Sequence, residues 1–299
     1  MLIRLKKTSL MIVTLIFIYS VATSAMTAHA TVIKITPAKP FQGDPIMITV
    51  RDASTTDISL GVIAVSKISF FTYHDVATAL YGIDLHQKVG TTTLRIIFKD
   101  GSTATTSFFI SRRPVAQESL PIPQQLGGNS TTNQEKIFSI LTKENASLIT
   151  MAGHANVPLW SATGTDVFDF PVASTTKSPR IVTDTYGIIR DSGAISIAHK
   201  GVDFQAVPGT PVYAINDGIV LATKTYIVYG NSVIIDHGLG LVSMYMHLSK
   251  MSVSPGESVH KGELIGYSGE TGYSEGPHLH LTIRIGGVSI DPIAFFKLF

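Results

Sequence analysis

Two stretches of strict alternation near the C-terminus constrain this chain more than any other feature. Apolar and polar residues alternate in Val242-Ser-Met-Tyr-Met-His247 and again in His278-Leu-His-Leu-Thr-Ile-Arg284. Only a β-strand, which points successive side chains to opposite faces, turns that period into one apolar and one polar surface. In the first stretch the period puts Val242, Met244 and Met246 on one face and Ser243, Tyr245 and His247 on the other. In the second, Leu279, Leu281 and Ile283 face one way, and His278, His280, Thr282 and Arg284 the other.

A third stretch, His199-Lys-Gly-Val-Asp203, places an imidazole and a carboxylate four residues apart. That spacing brings them to one side of a strand or of a helix, and Gly201 and Val202 favour a strand or loop. Together the three stretches supply four histidines and one aspartate. Imidazole nitrogen and carboxylate oxygen suit zinc, and a catalytic zinc site keeps three protein ligands and an open fourth position. Five candidates exceed that need, which points away from a closed structural site and towards chemistry.

The order His-x-x-x-Asp, then Tyr245-Met-His-Leu-Ser249, then Gly276-Pro-His-Leu-His280 resembles the lysostaphin and LytM family of zinc peptidases, which cut the peptide part of bacterial peptidoglycan. The likeness runs from about 186 to 292. It includes Gly209-Thr-Pro-Val-Tyr-Ala214, Asp217-Gly-Ile-Val220, the stretch Tyr229 to Gly238, and Gly269-Glu-Thr-Gly272. The resemblance implies one zinc per chain held by His199, Asp203 and His280, with His247 and His278 as the base and oxyanion-stabilising pair in either order. No His-Glu-x-x-His motif is present to supply a glutamate base, and an imidazole that titrates near neutrality can take its place. Tyr245, placed by the alternation on the face of His247, is expected either to orient it, to contact substrate, or simply to pack. One departure stands out: where the family commonly continues Phe-Glu, this chain has Leu281-Thr282, which bears on substrate preference more than on catalysis.

Two other classes have discriminating features. A non-catalytic member of the same fold, acting by binding another wall hydrolase, would lack ligands, whereas all five positions are filled here. A cupin-type oxidoreductase would need a glutamate a few residues after the His-x-His pair, and Arg284 with Gly286-Gly287 stands there instead.

The rest of the chain is read around this site. A basic start, an apolar run from about 10 to 22 and the ending Ala28-His-Ala30 form the layout of a secretory signal peptide spanning 1–30. Its apolar run is short of the roughly 20 residues of a membrane span. Export across the bacterial inner membrane to the periplasm, wall or medium is therefore expected, with no stable membrane span after processing. The whole chain has 23 basic and 21 acidic residues; three of the basic ones and no acid fall in the first thirty, which leaves 20 against 21, a formal −1. That balance excludes a typical nucleic-acid binder and argues against adhesion to an anionic wall by bulk charge. No cysteine is present, so neither a lipidated cysteine nor a disulfide is available.

The expected fold is predominantly all-β. Short alternating runs between 31 and 113, with Asp100-Gly101 as a hairpin cue, predict a small immunoglobulin-like β-sandwich. Residues 114–158 read as a Pro- and Gly-rich linker, long enough to let two domains shift, followed by an amphipathic helix of about five turns ending near Gly153. Residues 159–299 read as the β-rich peptidase domain, with Leu159-Trp-Ser-Ala162 as an opening strand. His74, His86, His154, His237 and His260 lack metal-ligand neighbours in sequence and read as surface, helix-end or turn residues.

Overall fold

The computed structural model describes residues 31–151, 157–161, 167–174, 180–193 and 195–299. The expected signal peptide and His154 lie outside these. Eight strands come first: β1 (Ile33–Thr36), β2 (Pro45–Val50), β3 (Ile58–Ile63), β4 (Ser66–Ile68), β5 (Phe70–Tyr73), β6 (Val76–Gly82), β7 (Gly90–Phe98) and β8 (Thr103–Ile110). They form two four-stranded antiparallel sheets, ordered β1-β2-β6-β5 and β4-β3-β7-β8. Ile46, Ile48 and Ala79 of one sheet and Leu94, Ile96 and Ile110 of the other share a single core. The alternation that turns these side chains inward sends Thr93, Arg95 and Thr105 outward.

The linker is docked rather than free. Its short strand β9 (Gln117–Ser119) lies parallel to β11 (Ile189–Asp191), which also pairs with β12 (Ser196–Ala198). Helix α1 (Thr131–Thr150) follows, capped by the Ser130 hydroxyl accepting from Asn133 N–H. On α1 the Glu144 carboxylate accepts from the backbone N–H groups of Ile227, Val228 and Tyr229. Arg113, just before the linker, bridges Asp44 at 2.5 Å and Asp291 at 3.0 Å. These contacts fasten both ends of the linker, so the shifting expected from its composition is opposed by paired backbone and matched charge.

The remaining strands are β10 (Val182–Asp184), β13 (Val202–Gln205), β14 (Pro211–Tyr213), β15 (Gly218–Tyr226), β16 (Gly230–Asp236), β17 (Leu241–Met251), β18 (Ser258–Val259), β19 (Leu264–Ser268), β20 (His278–Ile285) and β21 (Val288–Ile290), before the short helix α2 (Pro292–Phe296). They build one sheet along the path β10-β13-β20-β17-β16-β15-β18, with β14, β19 and β21 attached at its sides. One face carries the main core, including Phe204, Tyr245, Leu279, Leu281 and Ile283. The other face packs Val242, Met244 and Met246 against Leu148 of α1. Trp160 lies in a bend and not in the strand expected of it. Its ring is wedged edge-on among Phe71, Phe168 and Phe299, and the chain there follows the ring instead of a ladder.

Tyr245 is fully buried on the main-core face, its hydroxyl accepting from Ile215 N–H at 2.9 Å and lying 3.0 Å from Ser243 Oγ. Ser243 Oγ is in turn 2.8 Å from His237 Nε2, and His237 Nδ1–H donates to the Asp217 carbonyl at 2.7 Å. His237 is thus a structural member of a buried polar chain. Burial, only partly offset by its bond to Asp217, pushes the imidazole down to about 4. Because the folded protein holds it neutral while the unfolded chain protonates near 6.5, its contribution to stability is present at neutral pH and is lost as pH falls towards 4. Denaturant unfolding at pH 7 and pH 4 should therefore show a loss about 3 kcal/mol smaller in His237→Gln, which never ionises, than in the parent protein.

Candidate functional site

The site is assembled across β13, β20 and β17. Asp203 on β13 lies directly opposite His280 on β20, and His280 lies opposite Met246 on β17. His199 reaches the same point from the turn after β12, where its N–H donates to Ile188 O and its carbonyl accepts from Gly187 N–H, each at 2.8 Å. Gly201 is required by this approach. A Cβ there would stand 2.4 Å from His280 Nε2 and 2.5 Å from the Leu281 carbonyl.

His199, Asp203 and His280 are all buried, and each offers one donor atom within 4.8 Å of the others. His199 Nε2 lies 2.9 Å from His280 Nδ1 and 3.2 Å from Asp203 Oδ1, which is itself 2.8 Å from His280 Nδ1. The outer hydrogen bonds select the tautomers. His199 Nδ1–H donates to the Thr185 carbonyl at 3.0 Å, leaving Nε2 with its lone pair inward. Thr282 Oγ1 spends its proton on the Lys200 carbonyl at 3.1 Å, so at 2.9 Å it can only accept from His280 Nε2–H, and Nδ1 is left bare. Burial alone would raise the Asp203 carboxyl, but the adjacent His199 and His280 imidazoles outweigh it and hold the group well below the usual carboxylate range. Two inward imidazole lone pairs and an ionised carboxylate are the donor set of a zinc site with a further position for substrate or water.

His247 joins this face through a bulge. β17 carries one residue more than β16 between the pairs Val233↔Tyr245 and Asn231↔Leu248, and His247 has φ +60°. The extra residue resets the alternation: Leu248 enters the main core, and His247 comes beside His278 and His280, with ring centroids 4.7 and 6.0 Å away. The expectation that Tyr245 shares a face with His247 is therefore overturned. Tyr245 points to the opposite side of the sheet and neither orients His247 nor faces the site.

His247 and His278 are held alike. His247 Nδ1–H donates to Thr271 O at 2.7 Å and His278 Nδ1–H to Gly276 O at 2.8 Å, which leaves both Nε2 atoms as acceptors. His278 Nε2 lies 3.8 Å from Asp203 Oδ1. Burial pushes His247 down to about 3, with the neighbouring His278 and His280 acting in the same direction, so it is neutral at physiological pH and does not titrate near neutrality as expected from the sequence.

Two residues support the site in ways not read from the sequence, and Thr282, expected to bear on substrate preference, instead bonds a candidate ligand. Thr282 was placed by the alternation on the face of His280, and that position beside a candidate ligand was the available signal for its role. Arg190 had none, because its partners lie on separate strands that only the fold brings together: it contacts Asp184, Glu118 and, at 2.5 Å, the outer oxygen of Asp203.

Residues 197–292 match peptidase family M23. Over 93 residues the chain is 45% identical to peptidoglycan DD-endopeptidase ShyA of Vibrio cholerae, covering 31% of this chain and 22% of that protein. Over 96 residues it is 44% identical to DD-carboxypeptidase/endopeptidase Mpg of Neisseria meningitidis, covering 32% of this chain and 22% of that one. This chain thus spans about a fifth of the length of these relatives. A solved structure of a peptidase M23 from Pseudomonas aeruginosa aligns over 87% of this chain and 96% of its own with a TM-score of 0.63; at 23% identity it speaks for the fold alone. The chain carries a peptidase family M23 domain, and the site lies within it.

Because the Thr282 hydroxyl fixes which nitrogen of His280 faces inward, its removal should weaken metal binding. Thr282→Val keeps the shape of the side chain but leaves His280 Nε2–H without its acceptor. Zinc affinity measured against a competing chelator should fall about 10- to 100-fold. Thr282→Ser, which restores a hydroxyl, should recover most of it.

Proposed function

From the membership of residues 197–292 in peptidase family M23, we propose that the chain is an exported zinc-dependent endopeptidase that hydrolyses cross-links or stem peptides of bacterial peptidoglycan. The observation that carries the reading is the convergence of the bare nitrogens of His199 and His280 on Asp203, with two further imidazoles on the same face presenting bare Nε2 atoms. His199 Nε2, Asp203 Oδ1 and His280 Nδ1 would hold the metal. A zinc ion there supplies a Lewis acid for the scissile carbonyl and lowers the pKa of the attacking water to roughly 7.

The remaining work falls to the chain's own side chains. Of His247 and His278, one accepts the water's proton at Nε2, and the other, taking a proton at Nε2 from bulk water, donates to the oxyanion of the tetrahedral intermediate. Their Nδ1–H bonds to backbone carbonyls keep each ring in the required tautomer throughout. Arg190 balances the Asp203 carboxylate from behind, so the ligand stays ionised in a buried setting.

Metal analysis and a peptidoglycan-cleavage assay on the same preparations test these roles. His199→Ala and His280→Ala should lose both metal and turnover. His247→Ala should retain zinc while turnover falls ~10²- to 10⁴-fold. A His247 variant that keeps full activity, or that loses zinc as completely as His280→Ala, would overturn the assignment. Export belongs to the same proposal: N-terminal sequencing of protein recovered outside the cytoplasm should begin at Thr31, and a chain still carrying Met1 would favour a retained anchor.

A further inference from the structure

The metal site opens into a cavity of about 470 Å³ between the sheet and α1, lined on the sheet side by His199, His247, His280 and Arg284 and on the helix side by Leu141 and Asn145. Arg284 lies on β20 on the same face as His280 and is only 5% exposed. The two are four positions apart, a distance of about 13 Å along a strand and hence a few peptide units of an extended substrate.

The Arg284 guanidinium has almost no company. Its Nη2 donates to Asn145 Oδ1 at 3.3 Å, while Nε and Nη1 are buried with no hydrogen-bond partner among the described residues. Its cross-strand neighbours are Val242 and Ser289. The nearby phenols of Tyr229 and Tyr186 are pushed upward by burial and stay protonated, so neither is a counter-ion. Among the described residues lining the cavity there are three cationic side chains, Arg190, Lys200 and Arg284, and no carboxylate. Arg190 is matched from outside the cavity by Asp184, Asp203 and Glu118, whereas Arg284 shows no such match. A buried cation without a partner destabilises the fold, and a neutral group in its place removes that penalty. An arginine with unsatisfied N–H groups in the wall of a cavity that carries no carboxylate suits a carboxylate ligand, the acceptor with which a guanidinium pairs most strongly.

We propose that Arg284 is a substrate-specificity residue: it binds a free carboxylate of the peptide being cut, a few units from the scissile bond, and Asn145 of α1 helps hold the fork in place. The assignment rests on the peptidase reading given above. It makes the cleft a selector for acidic peptides and makes α1 the second wall of the substrate site.

The test uses the protein of residues 31–299 and cross-linked peptidoglycan peptides in which each free carboxylate is converted, one at a time, to a carboxamide. Binding is measured by calorimetry on metal-stripped protein, and cleavage on zinc-loaded protein. For the parent protein, one conversion should weaken binding about 10- to 100-fold, the range of a charge-assisted hydrogen bond. In Arg284→Gln the acid and amide forms of that peptide should bind alike, with Arg284→Lys intermediate. Thermal unfolding of Arg284→Gln should be unchanged or shifted upward, whereas an arginine kept for packing would lower it. If the parent protein binds and cleaves every carboxamide as well as its acid, or if Arg284→Gln retains the same discrimination, the carboxylate assignment is wrong while the peptidase reading stands. If zinc-loaded parent protein cleaves none of the peptides, the peptidase reading fails, and this inference with it.

Discussion

The pairing of Asp203 with His280 across β13 and β20 is the contact on which the site depends. Opposed residues on neighbouring antiparallel strands are held at a separation set by the backbone ladder, and a slip of one residue would send each to the opposite face. The apolar partners guard against that slip: Val202, Phe204, Leu279 and Leu281 all enter the main core. The core therefore enforces the register, and the register places the carboxylate against the imidazole. His199 then needs only one turn of chain and a glycine to complete the group.

A second constraint is the bulge at His247. Without the extra residue, β17 would carry His247 into the core beside Tyr245. With it, both Leu248 and His247 reach surfaces suited to them, at the cost of a left-handed backbone conformation in a non-glycine residue. Strain of this kind is stable only where neighbours determine the position, and here His247 N–H donates to Tyr229 O while Nδ1–H donates to Thr271 O. Both carbonyls belong to segments continuous with the sheet. The α1 helix steadies the same region through Glu144, whose carboxylate binds the backbone N–H groups at 227–229. Through that carboxylate, α1 is coupled to the position of a candidate catalytic imidazole.

The buried charges divide into balanced and unbalanced sets. Arg190 sits among three carboxylates and Arg113 between two, and each ties together segments far apart in sequence. His237 and Tyr245 avoid charge altogether by staying neutral in a hydrogen-bonded chain. Arg284 fits neither pattern, and it lines the same cavity as the candidate metal ligands.

By itself the sequence determined the β class of the chain, the opposite facing of Leu279 and His280, and the five side chains that are candidates for the centre. These follow from period-two alternation and from the donor chemistry of histidine and aspartate, both of which are local properties. Thr282 was half legible: its face was evident, but its hydroxyl's choice of the Lys200 carbonyl, which sets the tautomer of His280, was not. Only the tertiary structure decided that His247 leaves the face of Tyr245, because a bulge depends on how many residues the partner strand offers. It alone brought Arg190 to the back of Asp203 and closed α1 over the cleft. Contacts of that kind join segments many residues apart, and no local pattern in either segment records which distant partner it will meet.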